Sequence, residues 1–202
     1  MLSVREATQT VVKIGLAPML KRHGFKKHGF NFSRRQGSVE HHFNVQLSQC
    51  NQGANGHFYL NGGVLFDDMV RLRGAQMPKS PKCYNCEFYV RIHEIDPLLA
   101  PQVDIDEHTD LESLACRLTE RIEQAFVLPL NGVYTTEDFL KTGWVDKIPW
   151  DFPALYHYLI GNKAAARRHL ELQASTFADR GCTFQSLASH HHLSFPEDSP
   201  TN

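Results

Sequence analysis

The sequence motif with the clearest chemical potential is the pair Cys83-Tyr-Asn-Cys86. A structural zinc site uses this spacing but needs two further ligands, and no second Cys-x-x-Cys follows, so distant residues would have to complete it. A thioredoxin-like redox pair opens a helix after a strand, whereas this pair leads into the strand-like Glu87-Phe88-Tyr89-Val90. We therefore predict a buried, reduced cysteine pair and no bound metal, with zinc at Cys83 and Cys86 as the alternative.

The histidines are the second candidate for chemistry. Glu40-His41-His42 and His93-Glu94 would form the core of an acid/base or metal site if the two segments met across a sheet. His41 falls on the apolar face of its strand, where a hydrogen-bonded core imidazole is the commoner interpretation. No Gly-x-Ser-x-Gly, His-Glu-x-x-His or P-loop sequence is present. These residues leave a small hydrolase or metal-dependent enzyme using His42 and His93 as the alternative function.

Strand alternation gathers a third set of polar residues on one face of the predicted sheet. This face is rich in amides, rings and imidazoles and carries few carboxylates, whereas a solvated face more often carries Lys and Glu. Such groups suit a binding surface, and Tyr and Arg are favoured at interface hot spots. The competing interpretation is that a C-terminal helical hairpin covers the face. The predicted ligand- or partner-binding residues are His42, Asn44, Gln46, Tyr59, Asn61, Tyr89, Arg91 and His93.

The elements that position these residues follow from hydrophobic periodicity. A first helix is predicted over residues 4–23, with a Ser3/Glu6 capping box, a kink at Pro18 and a stop at Gly24 with positive φ. Four strands follow, near 30–35, 39–47, 58–66 and 86–95. The Gly62-Gly63 pair within the third indicates a bulge or a close approach. A second long helix begins near Asp110, capped by Thr109 and Glu112.

Composition limits the class of protein. The chain has 202 residues, 21 basic and 22 acidic side chains, and a pI near 6.9, so no basic field favours nucleic acid. The charged N-terminus fits neither a signal peptide nor a membrane span. Five cysteines, an odd number, favour reduced thiols. We expect a cytoplasmic protein without a cofactor.

Several segments resemble the bacterial domain of unknown function 4304 family. These are Leu16-Ala-Pro-Met-Leu-Lys, the Gly24-Phe25-Lys26-Lys27 corner, the Phe30-Asn31-Phe32 strand, Leu128-Pro-Leu, Thr136-Glu-Asp-Phe-Leu, and Leu159-Ile-Gly-Asn before an Ala-rich helix. The resemblance implies the fold and a bacterial cytoplasm. It brings no catalytic residues to this sequence.

These observations predict an α+β fold, an antiparallel four-stranded sheet with helices packed on one face and a C-terminal helical hairpin. We expect a sheet domain at 1–132, a helical segment packed on it at 133–188 and a disordered tail at 189–202. The predicted function is a non-enzymatic binding or protein-interaction module whose partner is a protein or a small-molecule ligand.

Overall fold

The chain forms two compact units. A computed structural model describes residues 2–72, 76, 79–144, 152–190 and 193–195. The first unit comprises residues 1–70 and 76–142, and the second comprises residues 71–75 and 143–202. The sheet domain was predicted to end at residue 132, and the first unit continues for ten residues beyond that point because it includes a short helix that follows the predicted boundary.

The first helical segment begins at the predicted capping box. The Ser3 hydroxyl accepts a hydrogen bond from the Glu6 amide, and the Glu6 carboxylate accepts one from the Ser3 amide. Helix α1 (Val4–Val11) passes through a π-helical segment (Val12–Leu16) into α2 (Ala17–Arg22). Pro18, which has no amide hydrogen to donate, lies in the first turn of α2. The predicted break in the helix takes the form of the wider π-helical turns that precede it.

Gly24 ends this segment as predicted, with φ of +82°. Its amide donates to the carbonyl of Lys21, and the amide of Phe25 donates to the carbonyl of Leu20, both at 3.0 Å. This is the hydrogen-bond pair of a Schellman motif. Phe25 is buried, and strand β1 begins at the next residue.

We expect Gly24→Val to lower the free energy of unfolding by about 1 kcal/mol or more, because β-branched residues poorly tolerate positive φ. A Cβ at Gly24 would meet nothing within 4 Å, so the cost comes from the backbone conformation alone. Urea denaturation measures the change. Gly24→Asn is the control and should cost less, since Asn tolerates this region; equal losses for both variants would contradict the explanation.

The sheet has six antiparallel strands, so the prediction of four was wrong. The strands are β1 (Lys26–His28), β2 (Asn31–Gln36), β3 (Val39–Leu47), β4 (Gly56–Phe66), β5 (Phe88–Arg91) and β6 (Val103–Ile105). Their order in the sheet is β1-β2-β3-β4-β5, and β6 pairs with the start of β4. The two unpredicted strands, β1 and β6, have only three residues each, too few to show a period-two hydrophobic pattern.

Helix α5 (Leu111–Ile122) continues into a π-helical extension (Glu123–Val127), which meets the apolar face of the sheet through Phe126. Asp110 caps α5, not Thr109 with Glu112 as predicted, because its carboxylate accepts from the amides of residues 112 and 113. Phe126 reaches the sheet, 6.0 Å from the Phe43 ring. A Cβ at Gly62 would lie 2.3 Å from Phe126, so glycine is needed there to let the Phe126 ring pack on the strand. The β3–β4 register continues through the glycine pair without a bulge.

Three further short α-helices lie among the described residues up to 140. They are α3 (Asp67–Leu72), α4 (Ile92–Ile95) and α6 (Thr136–Leu140). Helix α6 starts at a capping box formed by Thr135 and Asp138. In the part of the chain that the structure describes, no helix combines the length and hydropathy needed to cross a bilayer.

The second unit is helical. Its helices are α7 (Phe152–Leu159), α8 (Lys163–Thr176) and α9 (Phe184–His190). Gly161, with φ of +85°, and the N-cap Asn162 make the predicted turn of the hairpin. Ala154, Leu170 and Ala188 form its core, with Phe195 among the residues packed on them. Much of the predicted disordered tail, residues 191–192 and 196–202, lies outside the described residues.

Candidate functional site

A row of polar side chains crosses four strands on the sheet face opposite Phe126. Strand register aligns Asn31 with Asn44, Asn44 with Asn61, and Asn61 with Arg91. The side-chain Nδ2 of Asn44 donates to Asn31 Oδ1 at 3.0 Å. The side-chain Nδ2 of Asn61 donates to Asn44 Oδ1 at 3.0 Å and to Gln46 Oε1 at 3.2 Å. The predicted amides therefore form one hydrogen-bonded ladder, which fixes their side-chain orientation.

At the β4–β5 end of this row, Arg91 stacks on Tyr59. The guanidinium carbon lies 4.1 Å from the centre of the ring, within cation–π range. Tyr59 is itself held by His57, whose Nε2 is 2.9 Å from the phenol oxygen and whose ring meets it edge-on. Neither Asn61 Oδ1 nor Arg91 Nη1, both buried atoms, has a hydrogen-bond partner among the described residues. We call Gln46, Tyr59, Asn61 and Arg91 the Arg91 patch.

The middle of the same face is covered by the turn that carries the cysteines. A Cβ at Gly63 would lie 2.8 Å from Cys86 Sγ, so the Cys83–Asn85 turn packs directly on β4. Leu65, Val70 and Cys86 form a small apolar cluster there. Tyr89, aligned with Gly63, is half-buried, and burial raises its pKa. The predicted polar face is thus divided, with the Arg91 patch on one side and His42 on the other.

Cys83 and Cys86 are reduced and buried. Burial raises the pKa of the Cys83 thiol to about 12 and that of Cys86 well above its usual range. Cys86 Sγ lies 3.8 Å from the carbonyl of Lys82, to which its thiol donates. Zinc binds thiolates, which these surroundings disfavour. Among the described residues no three His, Cys, Asp or Glu side chains are grouped so as to hold a metal.

His93 does not share the strand face of His42. Strand β5 ends at Arg91, four residues before the predicted end, and His93 lies in α4, where Glu94 accepts from the Arg91 amide. Register aligns His42 with Gly63 and Gly63 with Tyr89, so the row containing His42 ends at Tyr89. The Glu94 carboxylate caps α4, so the strand alternation stops at Arg91. His42 and His93 therefore do not lie side by side on one sheet face, as a paired-histidine site would require.

Sequence reasoning missed a buried arginine on the apolar face. Arg34, 6% exposed, donates from Nε to His41 Nδ1 at 3.1 Å and from Nη1 to Asn131 Oδ1 at 2.8 Å. It also donates to the carbonyls of His23 at 3.0 Å and Val127 at 3.3 Å, which lie where two helical segments end. Within the described part of the chain, no carboxylate pairs with it. The sequence did contain a signal for this: Arg34 lies two residues after Phe32 in a strand, so alternation places both side chains on the same apolar face.

His41 is the hydrogen-bonded core imidazole that its position predicted. It is fully buried, and accepting from Arg34 requires an unprotonated Nδ1, which makes it a neutral ring protonated on Nε2. Burial, Arg34 and His42 lower its pKa to about 3. Arg34 and His41 therefore join strands β2 and β3 to the ends of two helical segments and face away from the candidate binding face.

Comparison with known proteins gives a family and no function. Neither the curated proteins nor the solved structures contain a significant match to this chain. The family model described as "Domain of unknown function (DUF4304)" matches residues 16–132, more than half of the sequence. The matched segment begins in the helical segment that Gly24 ends and stops at the end of the 3-10 turn after α5. It contains all six strands of the sheet, Arg34 and the residues that accept its hydrogen bonds. The chain belongs to the DUF4304 family.

Proposed function

We propose that this protein is a non-enzymatic binding or protein-interaction module of the bacterial cytoplasm, and that its protein partner contacts the Arg91 patch. The observation that carries the proposal is the stacking of Arg91 on Tyr59 at 4.1 Å, with Tyr59 held in turn by His57. Arginine and tyrosine are, with tryptophan, the side chains most enriched at interface hot spots. Holding them in place before binding reduces the entropy lost on association.

The hydrogen-bond inventory supports the same conclusion. The Asn31–Asn44–Asn61 ladder satisfies most of its amide groups internally. The atoms that lack partners among the described residues, Asn61 Oδ1 and Arg91 Nη1, are an acceptor and a donor on directly paired residues. Both atoms are buried, so a partner would reach the patch through the partly exposed side chains of Tyr59 and Arg91. The exposed side chain of Gln46, at the edge of the ladder, extends the surface.

Affinity capture with the full-length chain tests the proposal. Arg91→Ala should reduce retention of the partner from a bacterial lysate by about tenfold or more, as for a hot-spot residue, with a melting temperature within about 2 °C of wild type. The matched control is Arg117→Ala, an exposed arginine on α5, which should leave retention unchanged. Quantitative mass spectrometry of the retained proteins provides the measurement. Retention of the same proteins in the same amounts by Arg91→Ala would refute the proposal.

A further inference from the structure

A cavity of about 380 Å³ lies at the β1–β3 end of the polar face, away from the Arg91 patch. Strands β1, β2 and β3 form its floor, and the segment 79–82 forms a wall. Its volume falls in the range of small-molecule pockets. The charged and titratable side chains that matter for its chemistry are Lys26, Arg35, Glu40, His42, Lys79 and Lys82.

Positive charge in this cavity exceeds negative charge. Glu40 is its single lining carboxylate among the described residues, against one arginine and three lysines. The arginine is already engaged, because Arg35 donates to both oxygens of Asp67 at 2.6 and 3.2 Å and lies 3.5 Å from Glu40. Lys26, Lys79 and Lys82 form no ion pair within the described part of the chain. These lysines come from β1 and from a segment distant in sequence, and they line one cavity.

The floor of the cavity contains a buried polar group without a partner. His42 is 3% exposed, and its Nε2 has no hydrogen-bond partner among the described residues. Glu40 Oε1 lies 3.5 Å from that nitrogen, which favours a proton on Nε2 because a lone pair would face a carboxylate. Burial lowers the pKa of His42; Arg35 and Lys82 lower it further and Glu40 opposes them. A neutral imidazole with a proton on Nε2 therefore lines the same cavity as the lysines.

We propose that this cavity binds a small ligand through a phosphate group, with Lys26, Lys79 and Lys82 supplying the charge and His42 Nε2 a hydrogen bond. The arginine fork binds carboxylates and phosphates alike, and here the fork of Arg35 is occupied by Asp67, so the lysines are the cations left for a ligand. Lysines act as compact point charges, which suits the several oxygens of a phosphate. The site goes beyond the proposed protein interaction, because it shares no residue with the Arg91 patch.

Calorimetric titration of the full chain tests this site. The probes are inorganic phosphate and glycerol 3-phosphate, with citrate to represent carboxylate ligands. We expect one site per chain, with a Kd for glycerol 3-phosphate of about 1 mM or lower, and weaker binding of citrate. The double variant Lys26→Gln with Lys82→Gln should weaken glycerol 3-phosphate binding by about tenfold or more. Both side chains line the open cavity, so circular dichroism should show an unchanged fold.

Lys27→Gln is the matched control. Lys27 is the neighbour of Lys26 on β1 and does not line this cavity, so its loss should change the Kd by less than about twofold. Three results would overturn the proposal: no saturable binding of either phosphate probe, binding of citrate as tight as that of glycerol 3-phosphate, or equal weakening by Lys27→Gln. Arg91→Ala should bind glycerol 3-phosphate like wild type, so failure of this site and failure of the protein-interaction proposal are separately observable.

Discussion

Replacing Arg34 with methionine is expected to lower the free energy of unfolding by about 3 kcal/mol or more, although no ion pair is lost. The guanidinium satisfies four acceptors at once: the Asn131 amide oxygen, His41 Nδ1 and the carbonyls of His23 and Val127. Methionine fills part of the volume but donates no hydrogen bond. Buried ion pairs can often be replaced by apolar residues without loss of stability. Here, however, the acceptors include main-chain carbonyls at helix ends, which remain buried and lose their hydrogen-bond donor when Arg34 is replaced.

Urea denaturation at pH 7 measures this change. At that pH the arginine is charged, since burial lowers the pKa of Arg34 only to about 10. Arg34→Lys should also destabilise, because one ammonium group cannot reproduce a planar fork that contacts four acceptors. Arg117→Met, at an exposed position on α5, is the control and should stay within about 0.5 kcal/mol of wild type. If Arg34→Met matched that control, the network would have no stabilising role.

Acid should destabilise the first unit through His41, with a loss on the order of 3 kcal/mol by pH 4. The pKa of His41 is about 3 in the folded protein, against 6.5 for an ordinary histidine. Between these values the unfolded chain binds a proton that the folded chain does not. The free energy of unfolding therefore falls as pH drops below about 6.5, and the decline from this group ends near pH 3. Urea titrations at several pH values measure the slope.

His41→Asn isolates this contribution. The Asn oxygen occupies a position comparable to Nδ1 and can accept from Arg34, but it does not titrate. The variant should be less stable at pH 7, because the smaller side chain leaves a cavity, and it should lose less stability between pH 6.5 and pH 4. His42, whose pKa burial also lowers, is present in both proteins, so its own burial contributes to both slopes and only its interaction with His41 differs. Equal slopes for the two proteins would show that another group controls the acid response.

Helix ends and strand faces were predictable from the sequence because they depend on residues that are close together along the chain. The Ser3/Glu6 capping box and the Gly24 stop depend on residues within five positions of each other, and both are present. The alternation in β3 placed His41 and His42 on opposite faces because successive strand side chains point in opposite directions. The strand containing Tyr89 and Arg91 was predicted too long because Glu94 caps a helix that alternation does not reveal.

The sequence by itself determined the helix stop, the long hairpin strands and the polar composition of one sheet face, since each depends on the order of neighbouring residues. Only the tertiary structure decided that Arg34 bonds to helix ends 11 and 93 residues away, that the cysteine turn covers Gly63, and that Lys26 joins Lys79 and Lys82 around one cavity. The physical reason is that side chains far apart along the chain meet through packing, and packing has no signature in the periodicity of any one segment.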